Sequence, residues 1–413
     1  MTAFWTADLS ETLSSARRVV NAATGTRDIE NWLRAYDITA LPSTNTGAAD
    51  LAFQRWMKFK EAFSPKFVVD ALASLDRPPT HCIDPFGGSG TTALTCSLLG
   101  VRCTTTEVNP FLADLIEAKV TPLRPTALAD AYVACVDAAE AVDPGSLSPG
   151  AGAPASLREP GVGGRFVFWS EAMDRILALR AGLMAVDDED ARRMLRVLLG
   201  SILIEASNVV VNGKGRRYRG GWMRRRVTAD QVDRLFDDAV ARAARDLKEF
   251  SGRTRADVTI IRGDTRVRLD DAEQADVAVF SPPYPNSFDY TDVYNLELWM
   301  LGYLDDSASN RALRLSTLRS HVQVSWSPGG SDLGSPTLAL TLLDLDRVRH
   351  RLWNPNLVSM VEAYFQDMAV VLSKLRDKLA PGGKAIMVAG DSRYGDVRVD
   401  VGSIMAEVGT ELG

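Results

Sequence analysis

The run His81-Cys-Ile-Asp84, followed at once by Pro85-Phe-Gly-Gly-Ser-Gly-Thr-Thr92, constrains this chain more than any other segment. A short apolar stretch ending in an acid predicts a strand. The glycines predict a tight turn, and TALTCSLLG predicts a helix that ends at Gly100. A turn of this kind lets backbone N–H groups approach a ligand with no Cβ in the way, so a flat or anionic group is expected over it. Gly88 to Ala93 fits the loose G-x-G-x-x-G/A pattern, which any tight α/β turn can also satisfy. No lysine follows where a triphosphate-binding loop needs one.

The neighbouring segments repeat the rhythm. A helix is expected over Pro65 to Leu75 and a strand over VRCTTTEV, ending near Glu107, 23 residues after Asp84. Further strands are expected at 257–263, 275–281 and 383–391, with a long helix over 357–379 and a last helix over 401–412. Alternating strands and helices mean a parallel, doubly wound sheet. Such sheets bind ligands in the crevice at the carboxyl ends of their strands. Asp84, Glu107 and Asp264, three acids on three strand ends, are therefore candidates for one site.

Ser281-Pro282-Pro283-Tyr284 follows the apolar strand VAVF. Two prolines fix φ and remove two backbone donors, which leaves carbonyl acceptors beside a hydroxyl and an aromatic ring. That set suits an amino group on a flat base: Tyr284 can stack on the ring, while the Ser281 hydroxyl and the Pro282 carbonyl accept the amino hydrogens.

Together, DPFGGSGTT, TEVNP, GDTR and SPPY resemble the motif set of S-adenosylmethionine-dependent amino methyltransferases acting on DNA. The resemblance covers roughly residues 53–120 and 256–413. It implies a Rossmann-like α/β sheet, with Asp84, Phe86, Gly88, Gly90 and Thr91 at the methionine part of the cofactor, Glu107 on ribose and Asp264 on the adenine amino group. FKEAFSPKFV (59–68) resembles the segment closing over the methionine end, which makes Phe63 and Ser64 expected contacts. Serine before Pro-Pro-Tyr is typical of cytosine-N4 enzymes and aspartate of adenine-N6 enzymes. Adenine-N6 methylation, RNA base methylation and an inactive nucleic-acid-binding subunit are the alternatives. A protective or regulatory DNA modification, as in restriction-modification, is the biological role implied. The family's sheet has seven strands, the last two forming a hairpin; no segment for it follows residue 412, so a truncated chain or a second polypeptide covering the sheet edge is expected.

Between the two blocks, residues 121–255 read as a helical insertion, opened by the Pro/Gly/Ser-rich stretch 143–164, which is expected to be mobile. It carries the densest charge run, with seven Lys/Arg among residues 213–226. Lys214, Arg216, Arg217, Arg219 and Arg224, interleaved with Tyr218 and Trp222 on a glycine-flexible segment, are expected to contact DNA. In the stretch after Tyr284, Asp289 and Tyr290 are expected to face the base. The organisation is thus 1–52, an N-terminal helical segment with Ile29, Trp32, Leu33 and Tyr36 on one face; 53–120, the cofactor half; 121–255, target recognition; and 256–413, the catalytic half.

Composition sets the bounds. With 46% hydrophobic and 24% charged residues among 413, the chain is neither disordered nor collagen-like. Acids outnumber bases 53 to 47, which opposes coating nucleic acid with the whole surface and leaves room for a local basic site. Cys82, Cys96, Cys103 and Cys135 form no CxxC pair, so neither a metal site nor a disulfide framework is expected. No leader or spanning segment is seen, and a cytoplasmic, nucleoid-associated location is expected.

Overall fold

A computed structural model describes residues 43–59, 61–212, 215–253, 255–326 and 332–413, together with Ala16, Trp32 and Leu33. Five parallel strands form the central sheet: β1 (His81–Asp84), β2 (Arg102–Glu107), β3 (Val258–Arg262), β4 (Ala275–Phe280) and β5 (Leu379–Met387). Their spatial order is β3-β2-β1-β4-β5. The chain winds outward from β1 in one direction, then returns and winds in the other. β1 and β4 therefore meet at the point where strand order reverses, paired Cys82 to Val277 and Ile83 to Ala278. This is a Rossmann-like, doubly wound α/β fold.

Side chains on β1 and β4 alternate between two cores, as a pleated strand requires. Cys82, Val277 and Val279 face one layer, while Ile83, Ala278 and Phe280 face the other. The first layer holds α1 (Pro65–Ala73), α2 (Thr91–Leu98) and α3 (Pro110–Val120). Proline opens α1 and α3 at a position where its missing N–H costs nothing, and Ser64 and Asn109 cap them. The inserted helices α4 (Pro125–Glu140), α5 (Ser170–Gly182), α6 (Glu189–Ile202) and α7 (Ala229–Glu249) bury their apolar faces in this same layer. Within 143–164, backbone pairing of Arg158 with Phe168 and burial of Leu157 tie the segment down. The second layer contains α8 (Pro336–Arg347), α9 (Leu357–Lys378) and α10 (Val401–Glu411).

Two expectations are corrected. The insertion is not helical throughout: an antiparallel hairpin, Val209–Asn212 with Gly215–Tyr218, carries Arg216 and Arg217, so the basic run lies on paired strands and the turn behind them. Here β-branched Val209, Val210 and Val211 favour extended backbone. The last sheet strand starts at Leu379 and ends at Met387, ahead of the expected 383–391; a small hairpin, Ser392–Tyr394 with Val397–Val399, takes up the residues that follow. The sheet has five strands among the described residues, with β3 and β5 at its edges. Ile29 and Tyr36 lie outside the described residues. Trp32 and Leu33 are buried, and the Trp32 indole donates to the Ala52 carbonyl at 2.9 Å. Among the described residues, no helix is long and apolar enough to cross a membrane.

Asp246 on α7 fastens the segment leading into the site. It is fully buried and accepts from the Phe53 amide (2.9 Å), the Trp56 indole (2.8 Å) and the Arg55 guanidinium. Asp246→Ala strands three donors and is expected to lower unfolding free energy by about 3 kcal/mol, read from urea denaturation midpoints at unchanged m.

Candidate active site

The carboxyl ends of β1, β2, β3 and β4 open into a cavity that is partly open to solvent. Its wall includes Asp84, Phe86, Gly88 and Thr91 from the glycine turn, Glu107 after β2, Asp264 after β3, and Ser281, Pro282, Pro283 and Tyr284 after β4. Phe63 and Tyr290 complete the set of expected residues that line it. Two glycines allow this geometry: Gly88 (φ 51°) and Gly90 (φ 79°) both sit in left-handed backbone, where a side chain is strained. Gly90 caps α2 and does not line the cavity; an added Cβ there would press on Ile116. Ser64 is likewise absent from the wall, since its hydroxyl accepts the Phe67 amide at the start of α1.

The acids are not bare. Glu107 accepts the Gly88 amide through one oxygen (2.7 Å) and the Asn109 amide through the other (2.8 Å), so it shapes the glycine turn from beneath. Asp84 accepts the Phe86 amide at 2.9 Å. Burial pushes both carboxyls up to about 7, against the pull of these hydrogen bonds. Asp264 accepts the Arg266 amide at 2.9 Å and is gripped by the Arg266 guanidinium at 2.7 to 3.1 Å.

On the other wall, the Ser281 hydroxyl lies 3.0 Å from the Tyr284 hydroxyl and 3.2 Å from the Val388 carbonyl. A carbonyl only accepts, so the Ser281 proton points at Val388 and Tyr284 donates to Ser281. The remaining Ser281 lone pair is then an acceptor. Burial raises the Tyr284 phenol above its ordinary value, which keeps it a donor. The Tyr284 ring lies against Gly390, where an added Cβ would come within 2.8 Å of it, and the Tyr394 hydroxyl donates to the Pro285 carbonyl at 2.7 Å. The hairpin after β5 thus braces the double-proline turn. Asp289 is buried and holds Thr291 and Arg314 (2.7 Å), while Tyr290 packs edge-on against Phe288.

Sequence reasoning missed several wall residues. Phe59, stacked on Tyr294 at 5.5 Å, opens the FKEAFSPKFV segment without having been singled out, and the segment from Leu313 to Ser320 lines the cavity without any motif to mark it. Two wall residues leave buried polar atoms with no partner: the Asn109 side-chain amide nitrogen and the Thr265 hydroxyl. Asn109 could have been found, because an asparagine before proline at a strand-to-helix turn is a cap whose amide nitrogen is left over. Cys82, Cys96 and Cys103 also converge, with sulfurs within 4.8 Å of one another. They are buried in the core between β1, β2 and α2, away from the cavity, and pack there as small apolar side chains.

The basic run lies outside the cavity wall. The Gly215–Tyr218 strand packs on the short helix Tyr290–Val293, directly after the double-proline turn. Burial lowers the Arg216 guanidinium below its ordinary value, with Asp292 and Glu297 opposing the shift. Arg217 and Arg224 are exposed. Arg219 spends its donors on the Ile204 (2.8 Å) and Ser207 (3.3 Å) carbonyls, and Trp222 packs with Phe166, Trp169 and Tyr218. Both therefore hold the hairpin in place. Lys214 lies outside the described residues.

No family model matches the chain, and no solved structure does. Over 390 residues the chain is 25% identical to the Type II methyltransferase M.AvaI of Nostoc sp. (strain PCC 7120 / SAG 25.82 / UTEX 2576) and, equally, to the Type II methyltransferase M.AvaI of Anabaena variabilis; each match spans 87% of this chain and 78% of the relative.

The raised carboxyls fix a pH dependence. Between their unfolded values near 4 and the folded value of about 7, Asp84 and Glu107 take up protons on folding, so stability falls as pH rises through that window. Glu107→Gln is expected to flatten part of this slope in denaturation midpoints measured from pH 5 to 8.

Proposed function

We propose that the protein is an S-adenosylmethionine-dependent DNA methyltransferase that acts on the exocyclic N4 amino group of a cytosine turned out of the duplex. One observation carries the reading: the glycine turn and the double-proline turn open into a single cavity. The likeness to two Type II methyltransferases supports it at the level of reaction class.

The residues present fit the cofactor. The cavity wall is largely apolar and aromatic, with a few convergent polar groups, as a site for a nucleoside-containing ligand would be. The left-handed backbone at Gly88 keeps the turn free of a side chain, and the Asn109 amide and Thr265 hydroxyl are unsatisfied polar atoms on the wall. Asp84, Phe86, Gly88 and Thr91 would hold the methionine end, with Phe63 closing over it. Glu107 keeps lone pairs for ribose hydroxyls, and Asp264 would meet the adenine amino group. When bound, the cofactor supplies an electrophilic sulfonium methyl.

The chain's own contribution is orientation. Tyr284 offers a ring face, and the polarised Ser281 oxygen accepts an amino hydrogen, turning the nitrogen lone pair toward the cofactor side. The amine is weakly nucleophilic because its lone pair is shared with the ring, so in-line positioning supplies much of the rate and no strong base is needed. The Pro282 carbonyl is the second acceptor. DNA would lie across the hairpin, with Arg217 and Arg224 on phosphates and Arg216 nearer the base.

Incubation with labelled S-adenosylmethionine and DNA, followed by digestion to nucleosides and mass spectrometry, is expected to yield N4-methylcytosine. N6-methyladenine would move the same chemistry to the other base, and cofactor binding with no methylated nucleoside would reject the enzyme reading. Ser281→Ala should cut turnover roughly a hundredfold through lost orientation, with the cofactor Kd changed less than about twofold. Arg217→Glu with Arg224→Glu is expected to weaken DNA binding at least about tenfold and to lower the salt slope by roughly two, with cofactor affinity retained. Unchanged DNA affinity would move the interface elsewhere.

A further inference from the structure

Asp367 on α9 does not line the cavity, yet it stands between its two halves. It is only 3% exposed, and both of its oxygens are spent on arginines. One accepts from the Arg319 side chain at 2.7 and 3.0 Å; the other accepts from the Arg319 amide and from Arg266, both at 2.9 Å. These four bonds use up its lone pairs. Arg266 in turn clasps Asp264 and donates to the Leu315 carbonyl at 3.2 Å. Arg319 lies within the wall segment Thr317–Ser320, and the Ser320 carbonyl accepts the Ser287 amide at 2.9 Å, just past the double-proline turn.

Charge-assisted bonds therefore link the acid after β3 to Arg319, and the backbone bond from the adjoining Ser320 carries the connection to the segment that follows Tyr284. We propose that Asp367 is a positioning residue that couples the two halves of the cavity: through Arg266 it sets Asp264, and through Arg319 it sets the wall beside the double-proline turn. The proposal rests on the methyltransferase reading for the identity of the two ligands. Asp264 has its lone pairs committed to Arg266, so a ligand amino group that takes one must loosen Arg266. Arg266 then leans on Asp367, and the shift reaches Arg319 and the base-side wall. Coupling of this sort is reciprocal, so DNA must tighten the cofactor by the factor that the cofactor tightens DNA.

The test is the Kd for S-adenosylmethionine, measured by equilibrium dialysis on the full chain with and without duplex DNA. Wild-type protein is expected to bind the cofactor alone, and to bind it roughly tenfold tighter with DNA, within the usual range of coupling. Asp367→Asn leaves one acceptor and sets a donor against the second arginine. It is expected to weaken cofactor binding several-fold and to bring the ratio of the two Kd values to about one. Arg319→Gln cuts only the base-side arm, so it should leave the cofactor Kd without DNA as in wild type while abolishing the ratio; it also serves if Asp367→Asn fails to fold. Asp367→Glu is expected to restore part of the ratio. A wild-type ratio of one, or a full ratio in both variants, overturns the coupling while leaving the methyltransferase reading intact. A wild-type chain that binds no S-adenosylmethionine overturns both.

Discussion

The pairing of β1 with β4 is the constraint on which the site depends. Their register, Cys82 with Val277 and Ile83 with Ala278, brings the ends of two strands nearly 200 residues apart in sequence to the point where the sheet reverses direction. The crossover helices that lead on from the two strands, α2 after β1 and α9 before β5, lie in opposite layers, which leaves the crevice between them. The glycine turn and the double-proline turn are what the chain places on either lip. A slip of one residue in that pairing would exchange the faces of Val277, Ala278, Val279 and Phe280 between the two cores, so burial itself locks the geometry of the crevice.

Burial also sets the electrostatic character of the crevice. Asp84 and Glu107 end strands whose residues are almost wholly covered, and desolvation brings both carboxyls up to about 7, so that each is about half-ionised at neutral pH. What keeps them ionisable there is backbone: the Phe86, Gly88 and Asn109 amides all point at carboxylate oxygen. The glycine turn is thus held by the acids as much as the acids are held by the turn. A ligand carrying positive charge would favour the ionised forms, which matches a sulfonium donor and opposes a polyphosphate.

Most of this was legible in the sequence because each feature is local. A strand that ends in an acid before glycines, the helix that follows them, and a serine before two prolines carry their conformations in a few residues, and those elements fell within a few residues of expectation. The hairpin at 209–218 was not legible, since its three valines follow a helix and sit next to charged residues that suit either a helix flank or a loop. Arg219 and Trp222 carried a real signal with a different meaning. Positive charge and an aromatic ring on a glycine-rich segment point to nucleic acid until the fold shows the Ile204 and Ser207 carbonyls and the Phe166 and Trp169 rings waiting for them. The wall from Leu313 to Ser320 and its tether at Asp367 were invisible, because contacts between residues some 50 to 100 apart leave no periodicity to read.

The insertion joins this picture through its core. Helices α4 to α7 share one apolar cluster with α1, α2 and α3, so the hairpin they carry is fixed relative to the glycine turn and does not hang from a linker. It touches the segment after the double-proline turn through Tyr290–Val293, where the charges of Asp292 and buried Glu297 act on Arg216. One oxygen of Glu297 has no partner, and burial pushes its carboxyl up to about 7. The Arg216 charge is the one that acts against this shift, so the hairpin and the helices that follow the double-proline turn are joined by charge as well as by contact.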